Sequence, residues 1–189
     1  LIQAQINPHF LYNTLDAIVW LIETGKNEQA EEMVTSLSRY FRAFLSNGQD
    51  IVTLAQEQQH VCSYLEIQQV RYKDILEYRI EIDQAVADCR IPKLTLQPLV
   101  ENAIYHGVNG LVDEGLIEIR IFAEGDDVLF TVQDNGVGME PEQIEAIFRQ
   151  NPDRKSGIGV KNVNDRLKIW FGERYGLTIT SVPDEGTCV

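Results

Sequence analysis

The apolar residues of this chain change their spacing near residue 75, and this change constrains the fold more than any other feature. Before it, apolar side chains recur every three or four residues, which is the spacing of one helix face. After it, segments such as LEYRIEI at residues 76–82 alternate between apolar and polar residues, as a half-buried strand does. The sequence therefore predicts a helical part over residues 1–75 and a sheet-containing part over residues 76–189.

The helical part is predicted to form a hairpin of two amphipathic helices. The segment SNGQD, residues 46–50, carries a glycine between two apolar stripes and predicts the connecting loop. A hairpin cannot bury both stripes by itself, so we expect two copies of the chain to pair as a four-helix bundle. The stripes consist of Ala30, Met33, Val34, Leu37, Tyr40, Phe41, Phe44 and Leu45, followed by Leu54, Val61, Leu65 and Tyr72.

The second part mixes strands and helices without strict alternation, which predicts an α+β class with helices on one face of a sheet. The turn EGD between two alternating segments predicts a β-hairpin. Further strands and helices are predicted at residues 116–123, 127–134 and 177–182 (strands) and at about 93–108, 140–149 and 159–171 (helices). The last helix is expected to bury one apolar face that consists of Val160, Val163, Leu167 and Trp170.

The charge balance limits the classes of partner. The chain has 16 Lys and Arg against 29 Asp and Glu, a net charge of −13, and a pI of about 4.6. Binding to DNA or RNA requires clustered cations, so no nucleic-acid partner is expected. A single nucleotide needs only a local cluster of donors and stays possible.

The cysteines and the apolar runs indicate the cellular compartment of the chain. Cys62, Cys89 and Cys188 are too far apart for a zinc motif or a disulfide framework, which favours a reducing, cytoplasmic setting. The longest apolar run, residues 17–22, is too short to span a bilayer, so this part is expected to make no membrane contact. We interpret the chain as the cytoplasmic portion of a longer, membrane-anchored protein, with its last strand truncated.

Residues 94–108 are predicted to form a helix with one polar side. At 100° per residue an arc of roughly 140° contains four polar side chains: Glu101, Asn102, Tyr105 and His106. A carboxylate, a carboxamide and an imidazole that face the same space suit Mg²⁺ and phosphate oxygens. The plainer interpretation is the solvated outer face of an amphipathic helix.

The segment DNGVGM, residues 134–139, follows a predicted strand. Asp134 offers a carboxylate that can accept a hydrogen bond from an exocyclic amine such as that of adenine. Gly136 and Gly138 let the backbone turn tightly beside a flat ligand. An ordinary Asp-Asn-Gly turn explains the segment equally well when it is considered alone.

The segment SGIGVKN, residues 156–162, opens a helix and offers N–H groups to an anion. The spacing differs from that of a Walker motif, and the glycines also fit a simple tight loop. A lid over residues 140–155, which carries Arg154 and Lys155, is expected just before this segment, where it could close over phosphates.

Together the three segments resemble the nucleotide-binding domain of the GHKL ATPase superfamily. ENAIYHG resembles its N box, DNGVGM its G1 box and SGIGVKN its G2 box, and GTCV resembles the beginning of its final strand. The resemblance covers about residues 77–189 and implies a two-layer α/β sandwich (the Bergerat type) that binds ATP and Mg²⁺. It implies these contacts: Asn102 to Mg²⁺; Asp134 to the adenine amine; Thr187 near the adenine; His106, Lys155 and Lys161 on the phosphate side; and Gly136, Gly138, Gly157 and Gly159 at the edges of the lid.

The segment NPHFLYNTL, residues 7–15, places His9 at the start of a helix or at a proline kink. Neutral imidazole is a nucleophile near pH 7, and Asn13, one turn later, is placed to orient the ring. The segment resembles the phosphoacceptor region of sensor histidine kinases of the LytS and YesM type. That resemblance implies transfer of the γ-phosphate of ATP to His9 and then to an aspartate of a response regulator. The plainer alternative is a histidine that packs at a bundle end, and His60 is expected to be solvated or at the core edge.

Two departures bear on the chemistry. Many histidine kinases of other families carry an acidic residue directly after the acceptor histidine, but this chain has Phe10 there, so Glu101 is our candidate proton acceptor. GHKL enzymes that hydrolyse ATP commonly carry Glu where this chain has Pro98, which favours transfer to a side chain over attack by water. The alternatives are a GHKL module that binds ATP without transfer, and an ATPase or serine kinase of that superfamily.

Overall fold

The computed structural model describes residues 8–45, 49–72, 75–108, 115–149 and 158–189. Within these ranges helices come first and a sheet follows, as the change in apolar spacing predicts. The helices are α1 (Pro8–Glu23), α2 (Asn27–Leu45), α3 (Leu54–Arg71), α4 (Gln97–Asn102, continued by a π-helical segment Ala103–Val108), α5 (Pro141–Phe148) and α6 (Ile158–Phe171). The strands are β1 (Ile51–Thr53), β2 (Leu76–Ile82), β3 (Arg90–Pro92), β4 (Gly115–Glu124), β5 (Asp127–Asp134), β6 (Thr180–Val182) and β7 (Gly186–Cys188).

The predicted hairpin corresponds to α2 and α3, and α1 is a separate helix before it. Met33, Tyr40, Val61 and Leu65 of the two stripes are buried within the single chain, so the expectation that a second copy is needed to bury them was wrong. The break that separates α1 from α2 was not predicted. Gly25 adopts a left-handed φ of +74° and donates its N–H to the Ile22 carbonyl at 3.0 Å, while Lys26 donates to Leu21 at 2.8 Å. These two bonds form a Schellman motif, which ends a helix and reverses the chain.

The main sheet has five strands in the order β2-β4-β5-β7-β6. Strands β2 and β4 are parallel, and the other neighbours are antiparallel. The alternation predicted for β4 is present, because Ile117, Ile119 and Ile121 are buried in the core. Strands β1 and β3 form a separate two-stranded ladder that the sequence pattern did not predict.

Two predicted boundaries differ from the structure. The strand expected at residues 177–182 begins only at Thr180, because the Leu177 N–H donates at 3.0 Å to the side chain of Asn164 in α6. The apolar face expected for α6 is shorter than predicted: Val160, Val163 and Leu167 are buried, but Trp170 is 53% exposed near the end of the helix.

The helix expected over residues 93–108 begins at Gln97 because a buried carboxylate holds the residues before it. Glu57 of α3 accepts the N–H of Leu94 at 3.0 Å and that of Leu96 at 2.9 Å. Arg166 of α6 donates to the Leu94 carbonyl at 2.6 Å. Burial raises the pKa of Glu57, and the N–H donors act in the opposite direction. This cluster attaches the start of α4 to the helical part of the chain.

The described residues also bear on the predictions about cysteines and membranes. Cys62, Cys89 and Cys188 are free thiols. Within the part of the chain that the structure describes, no helix is both long and apolar enough to cross a membrane.

The Glu57 cluster yields a stability prediction. Replacing Glu57 with Gln turns one acceptor oxygen into an amide that faces the N–H groups of Leu94 and Leu96, so we expect the free energy of unfolding to fall by about 2 to 4 kcal/mol. Urea denaturation followed by circular dichroism measures the change. The matched control is Glu32→Gln on the exposed face of α2, where we expect a change within about 0.5 kcal/mol. Equal stability of the two variants would contradict this role for Glu57.

Candidate functional site

A cavity of about 250 Å³ lies where α4 meets the end of β5. It is closed by the loop after β5, by α5 and α6, and by the end of β7. Its walls are mainly apolar, with a few polar groups at its edge, which is typical of a small-molecule site. The polar residues are Asn102, His106, Asp134, Gln143 and Thr187, and the apolar ones include Leu99, Ala103, Val132, Val137, Met139, Ile147, Val160, Ile179 and Val189.

Asp134 supplies the most buried polar group of this cavity, with 6% of its surface exposed. It ends β5 and stands opposite Thr187 of β7 in the antiparallel ladder. Its Oδ1 accepts the N–H of Gly136 at 3.0 Å, and the Thr187 N–H also bonds to the carboxylate. Burial raises the pKa of Asp134 above its ordinary value, and the two N–H donors counteract that rise. The side chain is therefore a fixed acceptor inside an apolar pocket.

Two glycines let α4 come against the end of β5. A Cβ on Gly136 would lie 2.2 Å from the Gly107 backbone, and a Cβ on Gly107 would lie 2.6 Å from the Asp134 carboxyl group. A Cβ on Gly138, whose φ is +64°, would lie 2.0 Å from the Val182 carbonyl oxygen. Gly136 and Gly138 were predicted from the sequence, whereas Gly107 was missed although it stands in the quoted segment ENAIYHG.

The four polar residues predicted to share one side of α4 divide between two places. Asn102 and His106 line the cavity together with Asp134, and His106 is exposed at its edge. Glu101 and Tyr105 do not line it. The arc of roughly 140° was wide enough to border two separate spaces, and the expectation of a single shared space was wrong for this pair.

Glu101 lies instead at a second cleft of about 180 Å³ between α4 and α6. Its Oε1 accepts a hydrogen bond from the Gln97 Nε2 at 2.7 Å. Burial raises the pKa of Glu101, while the bond from Gln97 lowers it. Gly159 and Arg166 of α6 line the same cleft.

The glycine segment before α6 is only partly visible. Lys155 and Gly157 lie outside the described residues, as do residues 150–154 of the predicted lid. The first part of that lid is described and contains α5. Gly159 lines the second cleft, and Lys161 makes an ion pair with Asp165 one turn later on α6. Neither residue lines the cavity of Asp134.

His9 lies in the first turn of α1, directly after Pro8, and its side chain is exposed. The Asn13 Nδ2 lies 3.2 Å from the ring Nδ1 and 3.1 Å from Nε2, so the amide borders the ring as predicted. The next residue, Phe10, is buried. The exposed imidazole of His9 is therefore directly followed by a ring that packs in the core. Asn7, which precedes Pro8, lies outside the described residues.

His60 was expected to be solvated or at the core edge, but it is only 3% exposed. Its Nε2 donates to the Oε1 of Gln97, and its ring stacks on Tyr40 with centroids 4.7 Å apart. Burial lowers the pKa of His60. A local pattern could not reveal this, because Gln97 lies 37 residues further along the chain.

Two family models match the chain. Residues 88–189 match the model described as histidine kinase-, DNA gyrase B- and HSP90-like ATPase. Residues 1–76 match the model described as histidine kinase. Together they cover both the helical part that carries His9 and the part that forms the cavity.

Curated relatives align over nearly the whole chain. It is 41% identical over 186 residues to the sensor histidine kinase YesM of Bacillus subtilis, an alignment of 98% of this chain and 31% of that protein. It is 38% identical to the sensor histidine kinase BtsS of Escherichia coli, over 99% of this chain and 31% of that one. The sensor protein LytS of Oceanobacillus iheyensis is 37% identical, over 100% and 33%. The chain thus spans about a third of the length of these relatives.

Solved structures share the fold. The histidine kinase domain of a blue-light activated histidine kinase from Erythrobacter litoralis superposes with a TM-score of 0.55 at 16% identity, over 99% of this chain and 88% of that one. The catalytic domain of the histidine kinase ThkA superposes with a TM-score of 0.53 at 21% identity, over 73% of this chain and 89% of that one. At these identities the likeness concerns the fold alone.

Proposed function

Because the chain belongs to the histidine kinase-, DNA gyrase B- and HSP90-like ATPases, and among them to the LytS and YesM type of sensor histidine kinase, we propose that it phosphorylates its own His9 from ATP. The observation that carries the proposal is the cavity in which Asp134, Asn102, His106 and Thr187 converge on the same chain as an exposed histidine. We propose residues 1–75 as the phosphoacceptor and dimerisation part and residues 76–189 as the ATP-binding part.

In the proposed complex the adenine enters the apolar cavity and its amine donates to Asp134. Thr187 borders the base, because it stands opposite Asp134 in the ladder. The triphosphate then extends past Asn102 and His106 at the edge of the cavity. The glycines and lysines that the resemblance implies complete the site: Gly136 and Gly138 beside the base, and Lys155, Gly157, Gly159 and Lys161 on the phosphate side.

Mg²⁺ fits this site only as a partner of the phosphates. Among the described residues, no group of three or more His, Cys, Asp or Glu side chains is placed to hold a metal ion. Magnesium commonly accompanies nucleotides with one or two protein ligands, and the phosphates supply the others. Asn102 offers a carboxamide oxygen at the cavity and is the ligand we propose. The chemistry that the ion supplies is neutralisation of phosphate charge.

In the proposed reaction a ring nitrogen of neutral His9 attacks the γ-phosphorus of ATP, the bond to the bridging oxygen breaks, and ADP leaves. The proton on the other ring nitrogen is then released, and we propose Glu101 as its acceptor. Asn13 orients the ring from its place beside both nitrogens. The phosphoryl group passes next to an aspartate of a response-regulator receiver domain.

The outer face of α1 supports a homodimer. Four large apolar side chains at spacings of three, four and three residues are exposed along it, and such a stripe on one helix is typical of a face that packs against another helix. The stripe consists of Tyr12, Leu15, Val19 and Ile22. We propose that two copies join along this stripe as a four-helix bundle. We also propose that the chain is part of a longer protein whose membrane anchor lies elsewhere in its sequence.

The acceptor assignment predicts a labelling result. On incubation with γ-labelled ATP and Mg²⁺, the chain should incorporate label that is acid-labile and stable to alkali. We expect His9→Gln to lower incorporation by at least about 100-fold, because the nucleophile is lost, with nucleotide affinity unchanged. Glu23→Gln, on the exposed end of the same helix, is the control and should label normally.

Several results would contradict the assignment of His9 as the phosphoacceptor. Label that survives in His9→Gln would place the acceptor elsewhere. Release of free phosphate, or an acid-stable phosphoprotein, would point to an ATPase or a serine kinase. Nucleotide binding without any label would favour a binding module.

The buried carboxylate of Asp134 predicts a pH dependence for adenosine binding. An ionised carboxylate accepts the hydrogen bond of the amine better than a protonated one, and burial raises the pKa of Asp134 from 3.8. Affinity should therefore be full at neutral pH and fall with decreasing pH, beginning at a higher pH than an exposed Asp would give. Calorimetric titration measures it, and a probe without phosphates keeps the phosphate-side residues out of the measurement.

Two comparisons make this test specific. Asp134→Asn should weaken adenosine binding by about 10- to 100-fold and remove the pH dependence. Inosine, which carries an oxygen in place of the amine, should bind weakly to the unsubstituted chain. Equal affinity for adenosine and inosine would contradict the proposed contact.

The α1 stripe predicts the oligomeric state. We expect light scattering to show the unsubstituted chain as a dimer. Val19→Glu places a charge in the centre of the proposed interface, so this variant should be a monomer at concentrations that keep the unsubstituted chain dimeric. Ile169→Glu on α6 is the matched control, because it makes the same change at a side chain that is 82% exposed. Dissociation by both variants, or a monomeric parent, would contradict this interface.

A further inference from the structure

A chain of buried polar contacts joins the helical part of the molecule to α4. Gln97, in the first turn of α4, is only 5% exposed. Its Nε2 donates to the Tyr40 hydroxyl of α2 at 2.8 Å and to the Glu101 carboxylate at 2.7 Å. Its Oε1 accepts from the Nε2 of His60 in α3. One carboxamide therefore bonds to side chains from three helices.

These contacts leave Gln97 a single orientation. Both of its N–H donors are used, and its oxygen faces a ring nitrogen that must carry a proton in order to donate. Burial raises the pKa of Tyr40 to about 12, so its hydroxyl keeps its proton and can accept from Gln97 as a neutral group. Rotation of the amide by half a turn would set its oxygen against the Glu101 carboxylate, which is repulsive in a buried site.

The same network reaches the residue next to His9. The ring of Phe10 packs against Tyr40 with centroids 5.1 Å apart and against Tyr64 with centroids 5.0 Å apart. Only Tyr40 continues to Gln97, since the hydroxyl of Tyr64 accepts from Gln68 at 2.7 Å. The route from α1 to Glu101 thus runs through Phe10, Tyr40 and Gln97.

We propose that Gln97 is a positioning residue, which holds the Glu101 carboxylate in one orientation and ties it to the placement of α1. The inference rests on the proposed function, because it assumes transfer to His9 with Glu101 as the proton acceptor. It assigns to Gln97 an effect on the transfer step and none on nucleotide binding, since neither Gln97 nor Glu101 lines the cavity of Asp134.

Several groups face Glu101 from the elements packed around it. Tyr40 of α2, Tyr64 of α3 and Tyr105 of α4 lie near enough to interact with its charge. Arg166 of α6 lines the same cleft. The bond from Gln97 fixes one oxygen of the carboxylate among these groups, so loss of the network should leave the Glu101 side chain free to turn away.

The test compares two conservative variants that each remove one tyrosine hydroxyl. Tyr40→Phe keeps the ring that packs on Phe10 and removes the oxygen that accepts from Gln97. Tyr78→Phe removes the hydroxyl of a half-buried tyrosine on β2, outside the network. Gln97→Met, of similar length but without an amide, is the direct variant. All are measured in the complete chain by the initial rate of His9 labelling at saturating ATP and by ATP affinity.

We expect Tyr40→Phe and Gln97→Met to label His9 about tenfold more slowly or worse, with ATP affinity unchanged, because the transfer step loses its positioned acceptor. Tyr78→Phe should match the unsubstituted chain in rate and in ATP affinity. Equal slowing by both tyrosine variants, or a parallel loss of ATP affinity, would overturn the inference while His9 labelling in the parent stands. Absence of label in the parent would instead overturn the proposed function and this inference with it.

Discussion

The architecture of the site depends on one close backbone approach, that of Gly107 at the end of α4 to Gly136 just after β5. A side chain on either glycine would collide with the other backbone or with the Asp134 carboxyl group. Because both residues lack a Cβ, the π-helical end of α4 can lie against the last residues of the strand. That contact brings Asn102 and His106 to the cavity in which Asp134 is buried.

The helical part and the sheet part differ in secondary structure, but buried polar groups join them. Glu57 of α3 holds the residues before α4, and His60 of the same helix bonds to Gln97 inside it. Tyr40 of α2 joins at Gln97 as well. The orientation of the helix that borders the cavity of Asp134 is therefore set partly by α2 and α3, on which α1 with His9 packs, and this gives one part of the chain a physical means of influencing the other.

Local patterns in the sequence predicted much of this fold. Alternation located β2, β4 and β5, and two of the three glycine-bearing segments, ENAIYHG and DNGVGM, identified Asn102, Asp134 and Gly138, which the structure brings together. The features that the patterns missed depend on contacts between residues that are far apart in the sequence. Burial of His60 needs Gln97, and an arc of polar residues on α4 cannot reveal that Glu101 borders a second cleft against α6. The short strands β1 and β3 and the break at Gly25 give only weak local signals.

The central claim is that a purine nucleotide occupies the space between α4 and the end of β5. A crystal structure of the chain with Mg²⁺ and a non-hydrolysable ATP analogue tests it most directly. The account predicts the adenine amine within hydrogen-bond distance of the Asp134 carboxylate, with the triphosphate leaving the cavity past Asn102. A nucleotide bound elsewhere, or a base in the cavity whose amine points away from Asp134, would contradict it.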